Sequence, residues 1–190
     1  SYAAKPDRNR LMNLAADYLT AGGFTEIMSN SLTKESYYEG LTSYPAARCV
    51  RILNPLSADL NVMRQTLLFN TMEAVQLNAN RRNGNLRLYE FGNCYFYDEA
   101  ARDAEKPLSA YSEQYRLAIA VTGAAVPQSW NAKPQASSFF TLRAVAEKLL
   151  RRFGLDIYAL KCEPLQSDLF GDGISLSAGN GRELLQMGVV

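Results

Sequence analysis

An arginine stands inside an apolar run in Asn54–Leu68, NPLSADLNVMRQTLL. Arg64 follows Val62 and Met63, and a cation in such a setting needs a fixed partner. Two chemistries are open. The guanidinium can hold a substrate carboxylate or phosphate in a bidentate fork. It can equally form a buried ion pair with Asp59 or Glu90 and so fix the loop between a strand and a helix. Glu90 sits mid-strand in LYEFGNCYF, either as a carboxylate on a sheet floor or paired with a strand neighbour or Arg87. Asp98, Glu99, Asp103 and Glu105 crowd one loop, where they can attract magnesium or simply be solvated. Arg81 and Arg82 end a helix; they suit its dipole and could also touch RNA phosphates. Arg151 and Arg152 carry the same two readings. Tyr89, Phe91, Tyr95, Phe96 and Tyr97 could stack bases, although alternation along one strand more often builds a core and an interface.

Several chemistries are excluded outright. The chain has no histidine, so nucleophilic triads and His-ligated metals cannot be assembled from it alone. Any acid–base work falls to Asp, Glu, Lys, Tyr or Cys. Gly171-Asp172-Gly173 and Gly179-Asn180-Gly181 lack the strand-to-helix context of a phosphate cradle and are read as turns. The three cysteines, Cys49, Cys94 and Cys162, are far apart and form no CxxC, which argues against a zinc site or a disulfide framework and fits a reducing cytoplasm. No apolar run is long enough to span a membrane. Net charge is +1 over 190 residues, not the footprint of bulk electrostatic binding to nucleic acid.

The elements that must position these groups follow from periodicity. Asp7 caps a helix whose apolar face runs through Leu11, Leu14, Ala15, Tyr18 and Leu19, and Gly22-Gly23 end it. A strand is expected from about Phe24 to Leu32. Thr33 is expected to cap a short helix reaching about Gly40. Alternation over Arg48–Leu53 gives another strand, ended by Asn54-Pro55. A long helix is expected from a Thr66 cap to about Asn83, with Leu67, Leu68, Met72 and Val75 on one stripe. The aromatic run from Leu86 and the run YRLAIAVTG, Tyr115–Gly123, form a long hairpin around a charged loop. A helix spans about Ser138 to Phe153, followed by a strand in LDIYALKCEPL and a hairpin around Gly179-Asn180-Gly181. Hairpins with helices packed on them define an α+β fold with a mostly antiparallel sheet. The chain is read as a single module, residues 1–190, with residues 1–6 as a linker and its C-terminal strand cut short.

The ordered segments GGFTEIMSNSL, ILNPLSADLNVMRQTLL, NANRRNGNLRLYEFGNCYF and FFTLRAVAEKLLRRFG carry a more specific signal. Asn54-Pro55-Leu56-Ser57, then Met63-Arg64, then Glu90-Phe91-Gly92 resembles the catalytic-like module of the bacterial phenylalanyl-tRNA synthetase β subunit. The resemblance implies a class II synthetase core, an antiparallel sheet flanked by helices. The first helix and its strand fall where that class has its interface-building first motif. The hairpin falls where active members carry an ATP-holding arginine, and here CYFYDE puts aromatics in that place. The glycine-arginine third motif is not found. The resemblance therefore implies a catalytically silent module, with no cofactor of its own, that docks on the catalytic α subunit of an α2β2 enzyme. The whole enzyme uses ATP and magnesium and charges a tRNA. The editing and RNA-binding domains of the family lie outside this stretch. On this reading Leu11, Leu14, Ala15 and Tyr18 face the partner, while Asn54, Pro55, Arg64, Glu90 and Gly92 are structural. The rivals are an active ligase core, with Arg87, Arg102 or Arg116 as the ATP-facing arginine, and an RNA-binding module.

Overall fold

A computed structural model describes residues 7–190, so the expected linker over residues 1–6 lies outside the described residues. In chain order the regular elements are α1 (Arg8–Ala21), β1 (Thr25–Glu26), β2 (Leu32–Thr33), β3 (Val50–Arg51), β4 (Val62–Met63) and α2 (Leu68–Asn80). The hairpin strands β5 (Arg87–Tyr97) and β6 (Tyr111–Val121) follow, then β7 (Ala124–Val126), β8 (Gln135–Ala136) and α3 (Phe139–Arg152). The chain closes with β9 (Lys161–Pro164), β10 (Asp172–Ser177) and β11 (Glu183–Val189). Sheet neighbours run β1-β5-β6, β2-β4-β3, β7-β8 and β11-β10-β9. Among the described residues no helix is long and apolar enough to cross a membrane.

The described residues form two compact units, one of residues 7–26, 84–88 and 120–190 and the other of residues 27–83 and 89–119. In the first, Asp7 caps α1 by accepting from the Asn9 N–H at 2.9 Å. The helix packs on α3 and β1, and its fully buried residues are Ala15 and Leu19. Ser138 precedes α3, its N–H donating to Thr141 Oγ1 at 3.1 Å, and the helix ends in Gly154 at φ 79°. Ala146 and Leu150 of α3 meet Leu176 of β10 and Met187 of β11 in one apolar cluster. β10 and β11 pair antiparallel, and the turn between them needs φ 81° at Gly181, which only glycine adopts freely.

The second unit has two small cores. Tyr38, Cys49 and Val62 form one, with Phe69 set edge-on to Tyr38 at 5.3 Å. Leu67, Cys94 and Phe96 form the other. Most of its polar interior is bonded, with the buried Asn70 Oδ1 left without a partner among the described residues. Gln65, 1% exposed, donates from its amide to the Pro45 carbonyl at 3.0 Å and the Cys49 sulfur at 3.1 Å.

The β5–β6 hairpin forms as its alternation requires. Leu86 and Thr122 exchange both backbone bonds, at 3.3 and 2.9 Å, the mark of an antiparallel pair. Asp98 N–H donates to the Ala110 carbonyl at 2.8 Å where the strands give way to the loop.

Other expectations are corrected. Phe24–Leu32 is not one strand: only Thr25–Glu26 and Leu32–Thr33 are, because Ser29 and Asn30 between them bond to side chains of other elements. Thr33 is buried in β2 and caps nothing; a short 3₁₀ turn, Glu35–Tyr38, starts after Lys34. The strand over Arg48–Leu53 shrinks to Val50–Arg51, since Ala46–Arg48 turn as 3₁₀. The cap of α2 is Leu67, not Thr66, although Thr66 Oγ1 accepts from the Leu68 N–H at 3.2 Å. The side of α2 that is buried is polar, Asn70 and Thr71, while Met72 is 39% exposed. In LDIYALKCEPL only Lys161–Pro164 is strand. Asp172 and Gly173 lie in β10 rather than in a turn.

Candidate functional site

Arg64 lies just past β4, held by its own backbone: its N–H donates to the Ser31 carbonyl at 2.9 Å, and its carbonyl accepts from Tyr95 at 2.8 Å. Both partners are fixed, one beside β2 and one in β5, so the side chain enters the interior at a set angle. There its Nη1 meets Glu90 Oε1 at 2.8 Å, with the two side chains 4% and 1% exposed. The ion pair is therefore with Glu90. The other candidate, Asp59, lies at the surface 3.7 Å from Lys34.

The pair is enclosed by further bonds. Arg64 Nε donates to the Asn93 carbonyl at 3.1 Å and Nη1 to the Asn30 carbonyl at 3.4 Å. Glu90 accepts from the Ser29 N–H at 3.0 Å and from the Ser29 hydroxyl at 3.0 Å. Two charges taken from water are more tolerable when further donors and acceptors are met in this way. Gly92 completes the arrangement. A Cβ there would stand 2.1 Å from Arg64 Nη2 and 2.9 Å from Leu67 Cδ2, so the guanidinium lies against bare backbone.

The structure thus joins Arg64, Glu90 and Gly92 and adds Ser29, Asn30 and Asn93, which sequence reasoning missed. The only hint was the polar SNS within a stretch expected to be strand. Asn54 and Pro55 do not join the cluster. β3 ends at Arg51, before them, and both are exposed, between Leu53 at 92% and Leu56 at 97% exposure. Of the four residues assigned to a partner-facing surface, Ala15 is fully buried in its own unit and Leu11 is 37% exposed. Leu14 is half-buried, and Tyr18, also half-buried, has the Arg152 guanidinium 4.8 Å over its ring.

The other candidate arginines are used locally. Arg87 donates to the Gly22 and Ala125 carbonyls at 3.1 and 3.0 Å. Arg102 pairs with Glu99 at 3.4 Å. Arg81 caps α2 and Arg82 follows at φ 63°. In the acidic loop Asp98 and Asp103 accept backbone N–H groups from Ala100 and Glu105, and Glu99 accepts from Tyr97.

Burial shapes the titration of this unit. Burial pushes the Cys94 thiol up, partly offset by the guanidiniums of Arg116 and Arg64. Burial likewise raises the Tyr38 hydroxyl, against the Gln65 N–H that it accepts. Both groups fold in the neutral, protonated form. Their stabilisation is complete below the unfolded values, about 8.5 for Cys and 10 for Tyr, and is lost as pH rises from there toward the folded values. A pH series of thermal melts should therefore be flat from about pH 6 to 8 and fall above about 9, with Cys94→Ser making the fall shallower, since the Cys49 thiol, also raised by burial, still titrates in that window.

Comparison with solved structures defines the fold. A pyrrolysyl-tRNA synthetase from Desulfitobacterium hafniense superposes with a TM-score of 0.62 at 16% identity, over 96% of this chain and 58% of that one. A second structure of pyrrolysyl-tRNA synthetase from the same organism gives 0.64 at 16% identity, over 95% and 58%. The fold is thus that of a class II aminoacyl-tRNA synthetase core.

Sequence comparison is more specific. The model of the phenylalanyl-tRNA synthetase beta chain CLM domain matches residues 1–181, and the chain belongs to that family. The phenylalanine–tRNA ligase beta subunit of Bacteroides fragilis is 45% identical over 182 residues, which is 96% of this chain and 22% of the relative. Those of Bacteroides thetaiotaomicron and Porphyromonas gingivalis are 46% and 39% identical, each over 96% of this chain and 22% of the relative. The chain thus spans under a quarter of the length of these relatives.

Proposed function

We propose that this chain is a non-catalytic structural module of phenylalanine–tRNA ligase. It docks on the catalytic α subunit within an α2β2 cytoplasmic enzyme. ATP, magnesium and the tRNA are then used by the whole enzyme and not by this module. The observation that carries the reading is the closed Arg64–Glu90 pair. The arginine and carboxylate most suited to hold a substrate hold each other, 4% and 1% exposed. The sequence agrees with it: the aromatics of CYFYDE, Phe96 among them at 6% exposure, stand where the resemblance puts an ATP-holding arginine. The beta-subunit names of the relatives support an α partner.

For docking, the outer side of α1 is the surface we assign, through Leu11, Leu14 and Tyr18. Ala15 contributes by seating the helix in its own unit. The experiment is co-expression with the α subunit and affinity capture. Leu11→Arg and Leu14→Arg should abolish co-purification while leaving the thermal melt of the isolated chain within a few degrees. Unchanged capture by both variants would remove α1 from the interface.

A further inference from the structure

We propose that the loop joining β5 to β6 holds a binding site for an alkylammonium cation, the chemistry of a lysine side chain. A cavity of about 360 Å³ opens there between Tyr97, at the end of β5, and Tyr111, at the start of β6. The two ring centroids lie 5.3 Å apart and the rings are tilted by 51°, so together they make a notch of aromatic faces. Ala104, Pro107 and the buried Ala110 supply apolar walls. Asp103 and Arg102 supply the charged groups.

The loop that frames the cavity is held by its own bonds. The Asp103 N–H donates to the Ser109 hydroxyl at 2.8 Å. The Ser109 N–H donates to the Lys106 carbonyl at 2.9 Å, and the Tyr111 N–H to the Leu108 carbonyl at 3.0 Å. A cavity formed in advance lowers the ordering cost of binding.

The charge here is one-sided. Residues 97–111 carry the carboxylates of Asp98, Glu99, Asp103 and Glu105 against the cations of Arg102 and Lys106, in a chain whose net charge is +1. Arg102 is matched by Glu99 at 3.4 Å. Asp103 takes part in no ion pair among the described residues. It accepts the Glu105 N–H at 2.9 Å, a neutral donor that orients the carboxylate and leaves its charge in place. The unmatched charge on the cavity is therefore negative.

The walls select among cations. A divalent metal needs several oxygen ligands, and this cavity sets one unmatched carboxylate among apolar and aromatic faces. An alkylammonium uses all three features. Its methylene stem lies along Ala104, Pro107 and Ala110, and its head sits over the tyrosine rings against Asp103. An anion would meet Asp103 and the negative faces of both rings. The site stands apart from α1 and from the docking role assigned to it.

The test is an NMR titration of the 190-residue chain with Nα-acetyl-lysine amide at fixed ionic strength, read at the ring protons of Tyr97 and Tyr111. Nα-acetyl-norleucine amide, which has the stem without the charge, and magnesium chloride are the controls. Saturable shifts are expected with the lysine derivative alone. Asp103→Asn should weaken binding about threefold. Tyr111→Leu, read at Tyr97, should weaken it by a similar factor. Both positions are exposed, so neither change threatens the fold. Glu105→Gln, outside the cavity lining, should bind within about twofold of the parent. Spermidine and a lysine-containing peptide then identify the source, a free polyamine if spermidine binds more tightly and a partner polypeptide if the peptide does. Absence of saturable shifts with the lysine derivative, equal shifts with the norleucine derivative or magnesium, or unchanged binding by both Asp103→Asn and Tyr111→Leu would overturn the proposal.

Discussion

Arg64→Ala should lower the unfolding free energy of this chain by about 3–5 kcal/mol, measured by urea denaturation. The change strands Glu90, 1% exposed, as an uncompensated charge beside Ser29. It also releases the Asn30 and Asn93 carbonyls that the guanidinium satisfies. Since domains of this size hold about 5–15 kcal/mol in total, the variant should be partly unfolded at modest temperature. A double variant, Arg64→Met with Glu90→Leu, should cost clearly less than the two single changes summed, because it removes both charges together. A substrate clamp would behave differently: its loss would leave stability within about 1 kcal/mol and show itself only in binding.

Gly92→Ala should be the most damaging one-carbon addition in the hairpin. The new Cβ would sit 2.1 Å from Arg64 Nη2 and 2.9 Å from Leu67 Cδ2, well inside van der Waals contact. The guanidinium cannot retreat, because Nε is bonded to the Asn93 carbonyl and Nη1 to Glu90. Overpacking of this kind costs about 1–3 kcal/mol, occasionally more, and here it also strains the buried pair. The expected result is a loss of at least about 2 kcal/mol in denaturant unfolding. By contrast Gly84→Ala, where a Cβ meets nothing within 4 Å, should leave stability within about 1 kcal/mol. Equal effects at the two positions would mean that Arg64 is free to move.

Much of this architecture could be read from local pattern. The β5–β6 hairpin shows itself in alternating aromatics. The Ser138 start and Gly154 end of α3 sit where capping chemistry puts them, and Gly179-Asn180-Gly181 marks the β10–β11 turn. What failed was the structure made by long-range bonds. Residues 27–31 read as strand by residue type alone. Their polar groups instead go to Glu90 and Arg64, 61 and 34 positions away from Ser29 and Asn30, and no local window contains those partners. The buried side of α2 escapes the apolar periodicity for a similar reason. Asn70 is buried because its amide donates to the Asn30 carbonyl at 3.4 Å, and Thr71 because its hydroxyl bonds the Leu67 carbonyl at 2.9 Å. The ion pair was half legible: an arginine among apolar residues announces a partner, yet Asp59 and Glu90 were equal candidates until the fold brought one of them near. The family resemblance, carried by the order of several motifs, anticipated the class II fold that periodicity alone left at α+β.

Phenylalanine-dependent exchange of labelled pyrophosphate into ATP, measured with this chain alone and again with the α subunit added, tests the central claim most directly. The account predicts no exchange above background for the chain alone at any ATP concentration, and exchange only in samples that contain α. It further predicts that destabilising the Arg64–Glu90 pair affects the second signal only as far as it unfolds the module. Exchange by the chain alone, abolished by Arg116→Gln or Arg87→Gln, would contradict it and make this module a working ligase core.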